Sequence, residues 1–231
     1  MTPNLADPLG LVRAISEIRA QIEEIGLIVH YSSDFEELVE IRRQTRGDRV
    51  SPMFDPAICQ LDADRAFWLG AFKEDVLVSM QAFRLDTVYP NLAEWALGWF
   101  AGLYIKRNEI ILPAALDPPA HSRTRSLSGR LVYHGEMWID KTIKKRQVFN
   151  LLPRLGLLIS HIKWQPDAVW ALTGNMFATH GFITRMGYST QESSFLRWLP
   201  RWEPEGADDR EWVIIADRSN LEFLVAEDAT K

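Results

Sequence analysis

The stretch GEMWIDKTIKKRQVFNLLPRLGLL, residues 135–158, is the part of the sequence that points most clearly to a fold. Residues 135–140 are typical of a strand, and the apolar spacing that follows predicts a helix in spite of Pro153. The turn between the two carries positive charges on Lys141, Lys144, Lys145 and Arg146. Because a helix N-terminus offers free N–H groups and a favourable dipole, a strand that enters a helix through a basic turn is the layout of a phosphate-binding site.

Size and charge limit what kind of protein this is. The chain has 231 residues, of which 47% are hydrophobic, so it can bury a substantial core. We expect one domain over residues 1–231. The net charge of -5 and the pI near 5.6 argue against a nucleic-acid partner, because binding to phosphates along a nucleic acid requires a clustered positive surface.

The cysteine and histidine content limits the kinds of metal site that the chain could form and indicates its cellular compartment. Cys59 is the only cysteine, which excludes an internal disulfide and a metal site made of several thiolates. The five histidines are scattered without a metal-ligand spacing, so we expect no metal. No apolar run reaches the roughly 18 residues of a membrane span, and charged residues occupy the place of a signal peptide. These features predict a cytoplasmic protein without a membrane span.

The segment ADPLGLVRAISEIRAQIEEIG, residues 6–26, predicts an N-terminal helix. Asp7 is placed to cap it, Pro8 occupies its first position and Gly26 lies just past its end. An apolar stripe runs along it, formed by Leu11, Ile15, Ile18, Ile22 and Ile25. This stripe must meet another surface, either the rest of its own domain or a second copy in a homodimer.

The rest of the chain alternates strand and helix patterns. Residues 89–129, helical and aromatic at first and then rich in proline, are interpreted as an insertion between the third and fourth strands. The other predicted elements are a strand at 26–31, a helix at 33–47 capped by Ser33, a hairpin at 65–88, a strand at 129–140, a helix at 142–164, a strand at 167–175, a short helix, and a hairpin that pairs 188–199 with 210–218. The order predicts an α/β fold, a mixed sheet of about six or seven strands flanked by helices, with an extra helix at 1–26.

Two stretches, EMWIDKTIKKRQVFNLL (136–152) and VWALTGNMFATHGFITRMGY (169–188), together with this order, resemble the GNAT superfamily of acyl-CoA-dependent N-acyltransferases over residues 27–218. The resemblance implies that the fourth and fifth strands splay apart and that free backbone groups bind the pantetheine arm of acetyl-CoA or a longer acyl-CoA. Trp138 and Ile139 would supply main-chain contacts, and Asn175 would hold the cofactor at the next helix. The pyrophosphate loop would consist of Lys144, Lys145, Arg146, Gln147, Val148 and Phe149.

The loop departs from the family pattern, which runs Arg/Gln-x-x-Gly-x-Gly/Ala. The aligned positions here are Lys144, Gln147 and Phe149, so neither small residue is present. A side chain adds steric cost where a backbone must approach closely, and Phe149 could obstruct the pyrophosphate. The basic turn could attract the anion by charge instead, or it could be a solvated turn with no ligand.

Candidate catalytic groups lie on the strand that precedes this turn. Strict alternation would place His134, Glu136 and Trp138 on one face. Glu136 lies where family members often carry a carboxylate base; the alternative is a carboxylate satisfied by an arginine. His134 could share that role or be structural. The family's helix tyrosine, an acid for the thiolate, is absent, and Thr184 or a water would have to substitute.

The sequence leads to two functional hypotheses. The first is an acyltransferase that moves an acyl group from acyl-CoA, or from an acyl carrier protein, to a small amine acceptor. The insertion would then shape a pocket, or merely cap the core, with Trp95, Trp99, Phe100 and Tyr104. The second is a catalytically inactive GNAT-like module that binds a ligand or a protein, which the missing glycines and tyrosine favour. The sequence leaves the acceptor and the acyl length open.

Overall fold

A computed structural model describes residues 5–109, 113–115, 118–143, 145–199, 208 and 210–228. The side chains of 113–115 and 145–147 lie outside this description. Of the predicted phosphate loop, Lys144 therefore lies outside the described residues, as do the side chains of Lys145, Arg146 and Gln147.

The described strands form one mixed sheet of eight strands in the order β1-β2-β3-β5-β6-β8-β7-β4. Their bounds are β1 Ile28–Ser32, β2 Ala66–Lys73, β3 Val76–Val88, β4 Pro113–Ala115, β5 Gly129–Ile139, β6 Ala168–Thr173, β7 Thr190–Trp198 and β8 Arg210–Asp217. Neighbouring strands are antiparallel except for β5 and β6, which run parallel. The predicted mixed sheet is confirmed, and the short edge strand β4, inside the predicted insertion, was not anticipated.

Helices cover both faces of the sheet. They are α1 Pro8–Glu24, α2 Phe35–Arg46, α3 Leu92–Lys106, α4 Lys145–Trp164, α5 Asn175–Thr179, α6 Phe182–Arg185 and α7 Arg218–Asp228. One core lies under α1, α4 and α7, and we refer to this side of the sheet as the α4 face. The other core lies under α2 and α3, and we refer to this side as the α3 face. Helix α7 was not predicted.

The N-terminal helix α1 is confirmed together with its cap. The Asp7 Oδ1 atom accepts a 2.8 Å hydrogen bond from the Gly10 N–H, as expected of a cap residue. Leu11, Ile18 and Ile22 of the stripe are buried in the α4-face core, where α1 contacts α4 and α7. The stripe therefore packs within its own chain, which is the first of the two alternatives.

Helix α2 begins one residue later than expected. Asp34, not Ser33, caps it, and its Oδ1 accepts from the N–H groups of Glu36 and Glu37 at 2.9 and 3.1 Å. A cap side chain must reach the second or third helical N–H, and Asp34 directly precedes the first helical residue. The predicted cap at Ser33 is therefore wrong by one position.

The parallel strands β5 and β6 stay together over a short distance only. Their paired residues are Leu131 with Ala168, Val132 with Val169, and Tyr133 with Trp170. Beyond Tyr133, β5 continues to Ile139 without pairing to β6. The predicted divergence of these strands toward their C-terminal ends is confirmed, and it opens a gap in the middle of the sheet.

Strand β5 carries a bulge at the start of this gap. Its register against β3 shifts so that Glu136 and Met137 together lie opposite Gln81. Glu136 has a φ of 56°, a left-handed conformation that is uncommon for a side chain other than glycine. Because side chains alternate with a period of two, the extra residue inverts the faces of all positions that follow it.

The bulge overturns the expectation that His134 and Glu136 share a face. His134 stacks on Phe83 at 4.3 Å between ring centroids, on the α4 face. Glu136 contacts Arg42 of α2, on the α3 face. The two candidate bases thus lie on opposite sides of the sheet, and they cannot replace one another.

Candidate functional site

The gap between β5 and β6 is a cleft of about 410 Å³ that passes through the sheet. On the α4 face it is lined mainly by apolar side chains, among them Met137, Phe149, Phe177, Met186 and Ile214. On the α3 face its walls include Tyr133, Glu136, Trp138, Leu172 and Glu211. A long flexible ligand could enter from one face and present its end to the other.

The edge of β5 offers unpaired backbone groups to this cleft. The Asp140 N–H donates to the Val78 carbonyl of β3 at 2.8 Å, and the Trp138 carbonyl accepts from the Ser79 hydroxyl at 2.8 Å. Because N–H and C=O groups alternate between the two neighbours of a strand, those of Ile139 point away from β3 into the cleft. The main chain of Ile139 therefore faces the cleft, and its contact with a ligand stays a prediction. The main chain of Trp138 faces β3, and its side chain lines the cleft.

The N-terminus of α4 lies beside this edge. The helix begins at Lys145, so residues 145–149 form its first turn and are not a separate loop. Val148 is buried in the α4-face core, which leaves only its main chain for a ligand. The first turn of a helix still provides free N–H groups and a favourable dipole for an anion.

Phe149 occupies a position where the family pattern has a small residue. Its ring lies 5.6 Å from that of Phe177 and 5.4 Å from that of Phe182, measured between centroids. Phe149 and Phe177 both line the cleft. We name these three residues the phenylalanine cluster. It narrows the α4-face side of the cleft next to the N-terminus of α4.

Asn175 does not line the cleft. It is the first residue of α5 and is exposed, and its backbone N–H donates to Asp208 Oδ2 at 2.6 Å. Gly174, the residue before it, lines the cleft instead. The backbone N–H of Asn175 is therefore engaged in a hydrogen bond to Asp208, while the Asn175 side chain lies at the surface beside the cleft.

Glu136 is held by partners on the α3 face. Its side chain is 2% exposed, and Oε1 accepts from the Ser51 N–H at 2.8 Å while Oε2 contacts the Arg42 guanidinium. Arg42 also donates to Asp48 Oδ1 at 2.9 Å. Both oxygens of Glu136 are engaged, and this arrangement matches the alternative of a carboxylate satisfied by an arginine.

His134 lines the cleft from the α4 face and is fully buried. Its Nδ1 atom lies 2.6 Å from the Tyr188 hydroxyl, and no described residue hydrogen-bonds to Nε2. Complete burial lowers the pKa of His134 from 6.5 to about 3. The imidazole is therefore neutral at physiological pH and too weakly basic to hold a proton there.

Glu211 of β8 is a titratable group in the cleft that was not anticipated. Its Oε1 accepts a 2.8 Å hydrogen bond from the Trp198 indole N–H. Burial raises the pKa of Glu211 from 4.5 to about 7, the Trp198 hydrogen bond opposes this rise, and the Asp208 charge adds to it. The sequence did carry a signal, because alternation along REWVIIAD places Glu211 on the same face as Val213 and Ile215, two apolar positions.

The aromatic residues of the insertion mostly build the core. Phe100 and Tyr104 of α3 are buried, and Trp99 contacts Tyr133 at 5.2 Å between centroids. Tyr133 in turn lines the cleft. These aromatic side chains therefore fit the interpretation that they cap the core better than the interpretation that they line a pocket. Trp99 reaches the cleft through its contact with Tyr133.

The described residues contain no group of three or more His, Cys, Asp or Glu side chains that could hold a metal ion. None of the helices among those residues is both long enough and apolar enough to cross a membrane.

The strand order, the divergence of the parallel pair and the helix that follows β5 give this chain a GNAT-type fold. No protein-family model matches the sequence, and no curated protein matches it.

Several solved structures are similar to the chain at low identity. FeeM, an N-acyl amino acid synthase from uncultured soil microbes, is 12% identical, with a TM-score of 0.47 over 84% of this chain and 91% of that one. NAA60 from Arabidopsis thaliana, in complex with acetyl-CoA, is 13% identical, with a TM-score of 0.44 over 83% and 99%. A probable acetyltransferase from Staphylococcus epidermidis is 9% identical, with a TM-score of 0.45 over 83% and 98%. These similarities are remote, and the fold assignment depends on the strand order and divergence described above.

Proposed function

We propose that this chain is an acyltransferase that moves an acyl group from a thioester, acyl-CoA, to an amine acceptor. The observation that carries the proposal is the end of β5 and β6 pairing at Tyr133, which leaves a cleft through the sheet. An extended amide-containing chain can bind such an open strand edge by main-chain hydrogen bonds.

The pantetheine arm would enter from the α4 face and lie between β5 and β6. Its amides would bond the N–H and C=O groups of Ile139, and its phosphates would lie at the N-terminus of α4. The phenylalanine cluster leaves less room there than a glycine-containing loop would. For this reason the donor could also be an acyl carrier protein, which presents pantetheine without the nucleotide.

The acceptor would approach from the α3 face, where the thioester carbon emerges. Tyr133, Trp138 and Leu172 give that side of the cleft an apolar wall, and Glu211 adds a carboxyl group. A primary amine attached to an apolar or aromatic body suits this lining.

One observation favours the alternative, a GNAT-like module that binds a ligand without catalysis. Both candidate bases from the sequence are compromised, Glu136 by its pair with Arg42 and His134 by its lowered pKa. If no other base is available, the cleft would bind an acyl-CoA and leave it intact.

Calorimetric titration with CoA, acetyl-CoA and decanoyl-CoA tests the binding step. We expect binding, which Thr173→Trp abolishes because the indole fills the cleft that Thr173 lines. Gln191→Trp, at an exposed position of β7, is the matched control and should bind as the wild type does. Thiol release in the presence of an amine panel then separates an enzyme from a binding module. Absence of binding by all three ligands contradicts the CoA-donor proposal.

A second variant tests the phosphate end of the same ligand. Replacing Lys144 and Lys145 by Glu should weaken CoA binding by about 1 to 3 kcal/mol, the scale of charge-assisted hydrogen bonds, and added salt should weaken the wild type. The double variant binding CoA as tightly as the wild type at low ionic strength would exclude this turn as the phosphate site.

A further inference from the structure

We propose that Glu211 is the catalytic base, the group that takes the proton from the acceptor amine on the α3 face of the cleft. This assignment rests on the proposed acyl transfer and adds a residue to it. It replaces the two bases that sequence reasoning suggested, Glu136 and His134.

The position of Glu211 follows from the register of β8. Strand β6 pairs with β8 through Leu172 with Val213 and Thr173 with Trp212, so Glu211 lies one residue further, beside Gly174. Glu211 and Gly174 both line the cleft. This is the end of β6 that diverges from β5, so the carboxyl group lies where a thioester coming through the sheet would emerge.

The face of the sheet on which the Glu211 side chain lies follows from the neighbouring residues of β8. Val213 and Ile215 are buried in the α3-face core, and alternation places Glu211 with them. The donor would enter from the α4 face, and the amine from the α3 face. A base on the α3 face can therefore reach the amine without competing with the pantetheine arm for space.

One oxygen of Glu211 is fixed by a hydrogen bond from β7. Oε1 accepts from the Trp198 indole, which is itself buried and contacts Tyr104 at 5.9 Å between centroids. No described residue hydrogen-bonds to the second oxygen. A carboxyl group that is oriented through one oxygen and open at the other is suited to receive a proton from a bound ligand.

Two arginines lie near the tyrosines that surround Glu211, Arg107 near Tyr104 and Arg84 near Tyr133, and neither is among the groups that shift the pKa of Glu211. Tyr104 from α3 and Tyr133 from β5 face it, and burial raises the pKa of each, which keeps both hydroxyls neutral. Asp208 adds a negative charge from the segment before β8. Across the cleft Glu136 is already paired with Arg42. An apolar wall and a neighbouring carboxylate both strengthen proton binding, so this carboxyl group accepts a proton near neutral pH.

The proposed step conserves atoms and charge. The amine nitrogen attacks the thioester carbonyl carbon as the Glu211 carboxylate takes one of its protons, and a C–N bond forms. The tetrahedral intermediate then collapses, the C–S bond breaks and the thiolate leaves. The proton on Glu211 passes to that thiolate, so an amide and a free thiol are the products and the carboxylate is restored.

Glu211→Gln tests the assignment with little disturbance of the fold. The amide keeps an oxygen for the Trp198 N–H, so melting temperature and decanoyl-CoA affinity should change little, the affinity by less than about twofold. The rate of transfer from decanoyl-CoA to the best amine of an amino-acid panel, measured by thiol release, should fall about 100-fold or more, as expected for a general base. Glu192→Gln, at a partly buried carboxylate of β7 outside the cleft, is the matched control and should transfer as the wild type does.

Substitutions at two residues near Glu211 should change the pH profile of kcat/KM. A purely structural role of Glu211 would not produce these changes. Trp198→Phe removes a hydrogen bond that stabilises the charged carboxylate, so the acidic limb of the pH profile of kcat/KM should move to higher pH. Asp208→Asn removes a negative charge that opposes ionisation, so the limb should move to lower pH. The amide oxygen that this substitution introduces can still accept from the Asn175 N–H.

The outcomes separate this inference from the proposed function. Loss of transfer in Glu211→Gln with intact decanoyl-CoA binding, and opposite pH shifts in the two neighbouring variants, support the assignment. Transfer by Glu211→Gln at the wild-type rate overturns it and leaves the acyltransferase intact. A wild type that binds decanoyl-CoA but acylates none of the amines overturns the acyltransferase and the base together.

Discussion

Glu136→Ala should destabilise the protein strongly, because Glu136 holds the bulge of β5 against α2. The change removes the acceptor of the Ser51 N–H and one partner of the Arg42 guanidinium, whose side chain is 10% exposed. Breaking a buried ion pair from one side typically costs about 3 to 5 kcal/mol. Asp48 remains bonded to Arg42 and reduces that cost, so we expect a loss of about 2 to 4 kcal/mol in the free energy of unfolding.

Urea denaturation followed by tryptophan fluorescence and by far-ultraviolet circular dichroism measures this loss. Glu136→Gln should cost less than Glu136→Ala, since the amide oxygen can still accept from Ser51. Glu40→Ala is the matched control, because Glu40 forms an exposed pair with Arg43 on the same helix α2, and its removal should change the stability little. A cycle with Arg42→Met isolates the coupling between the two charges.

Unfolding of Glu136→Ala at the wild-type urea concentration, together with a loss of acyl transfer, would contradict this role of Glu136. That result would mean that the Arg42 contact contributes nothing to stability and that Glu136 serves the reaction. The base would then be Glu136, as its strand position first suggested, and Glu211 would lose its role.

Three further predictions concern packing and pH. Gly156→Ala should destabilise the protein by about 1 to 3 kcal/mol, because the added Cβ would lie 2.3 Å from the Phe83 ring, whereas Gly98→Ala meets nothing within 4 Å and should be neutral or stabilising in a melting experiment. His134 has a folded pKa below its unfolded value, so its contribution to stability is present above about pH 6.5 and is lost as the pH falls toward 3; His134→Phe should flatten that part of the stability curve. Deleting residues 1–25 should lower the melting temperature by exposing the α4-face core, and light scattering checks whether the truncated chain associates.

Much of the fold could be predicted because its signals are local. Asp7 and Pro8 mark the start of α1 and Gly26 marks its end. The hairpin of β2 and β3 follows from two strand patterns around a polar turn. The divergence of β5 and β6 was predicted through the resemblance, not through periodicity. The three residues of β4 are too few for a pattern to predict.

The faces of β5 could not be predicted by alternation. The bulge at Glu136 is defined by the pairing of β5 with β3, a contact between segments far apart in the sequence. Period-two reasoning holds up to Gly135 and fails for each residue after it. A non-glycine residue with positive φ carries no sequence mark, so His134 and Glu136 were wrongly placed together.

Glu211 and α7 were missed for different reasons. The role of Glu211 depends on Trp198, Tyr104 and Tyr133, which reach it from three other elements, and only its alternation with Val213 hinted at burial. Helix α7 did carry a local signal in its apolar residues, Leu221, Leu224 and Val225. The predicted order of elements simply ended at β8.

The most direct test of the central claim is a crystal structure with a non-hydrolysable thioether analogue of decanoyl-CoA. The proposed function predicts that the pantetheine amides hydrogen-bond the N–H and C=O groups of Ile139 between β5 and β6, that the phosphates lie at the N-terminus of α4, and that the reacting carbon emerges beside Glu211. An analogue bound elsewhere, with the cleft between the two strands empty, would contradict the claim that this gap is the donor site.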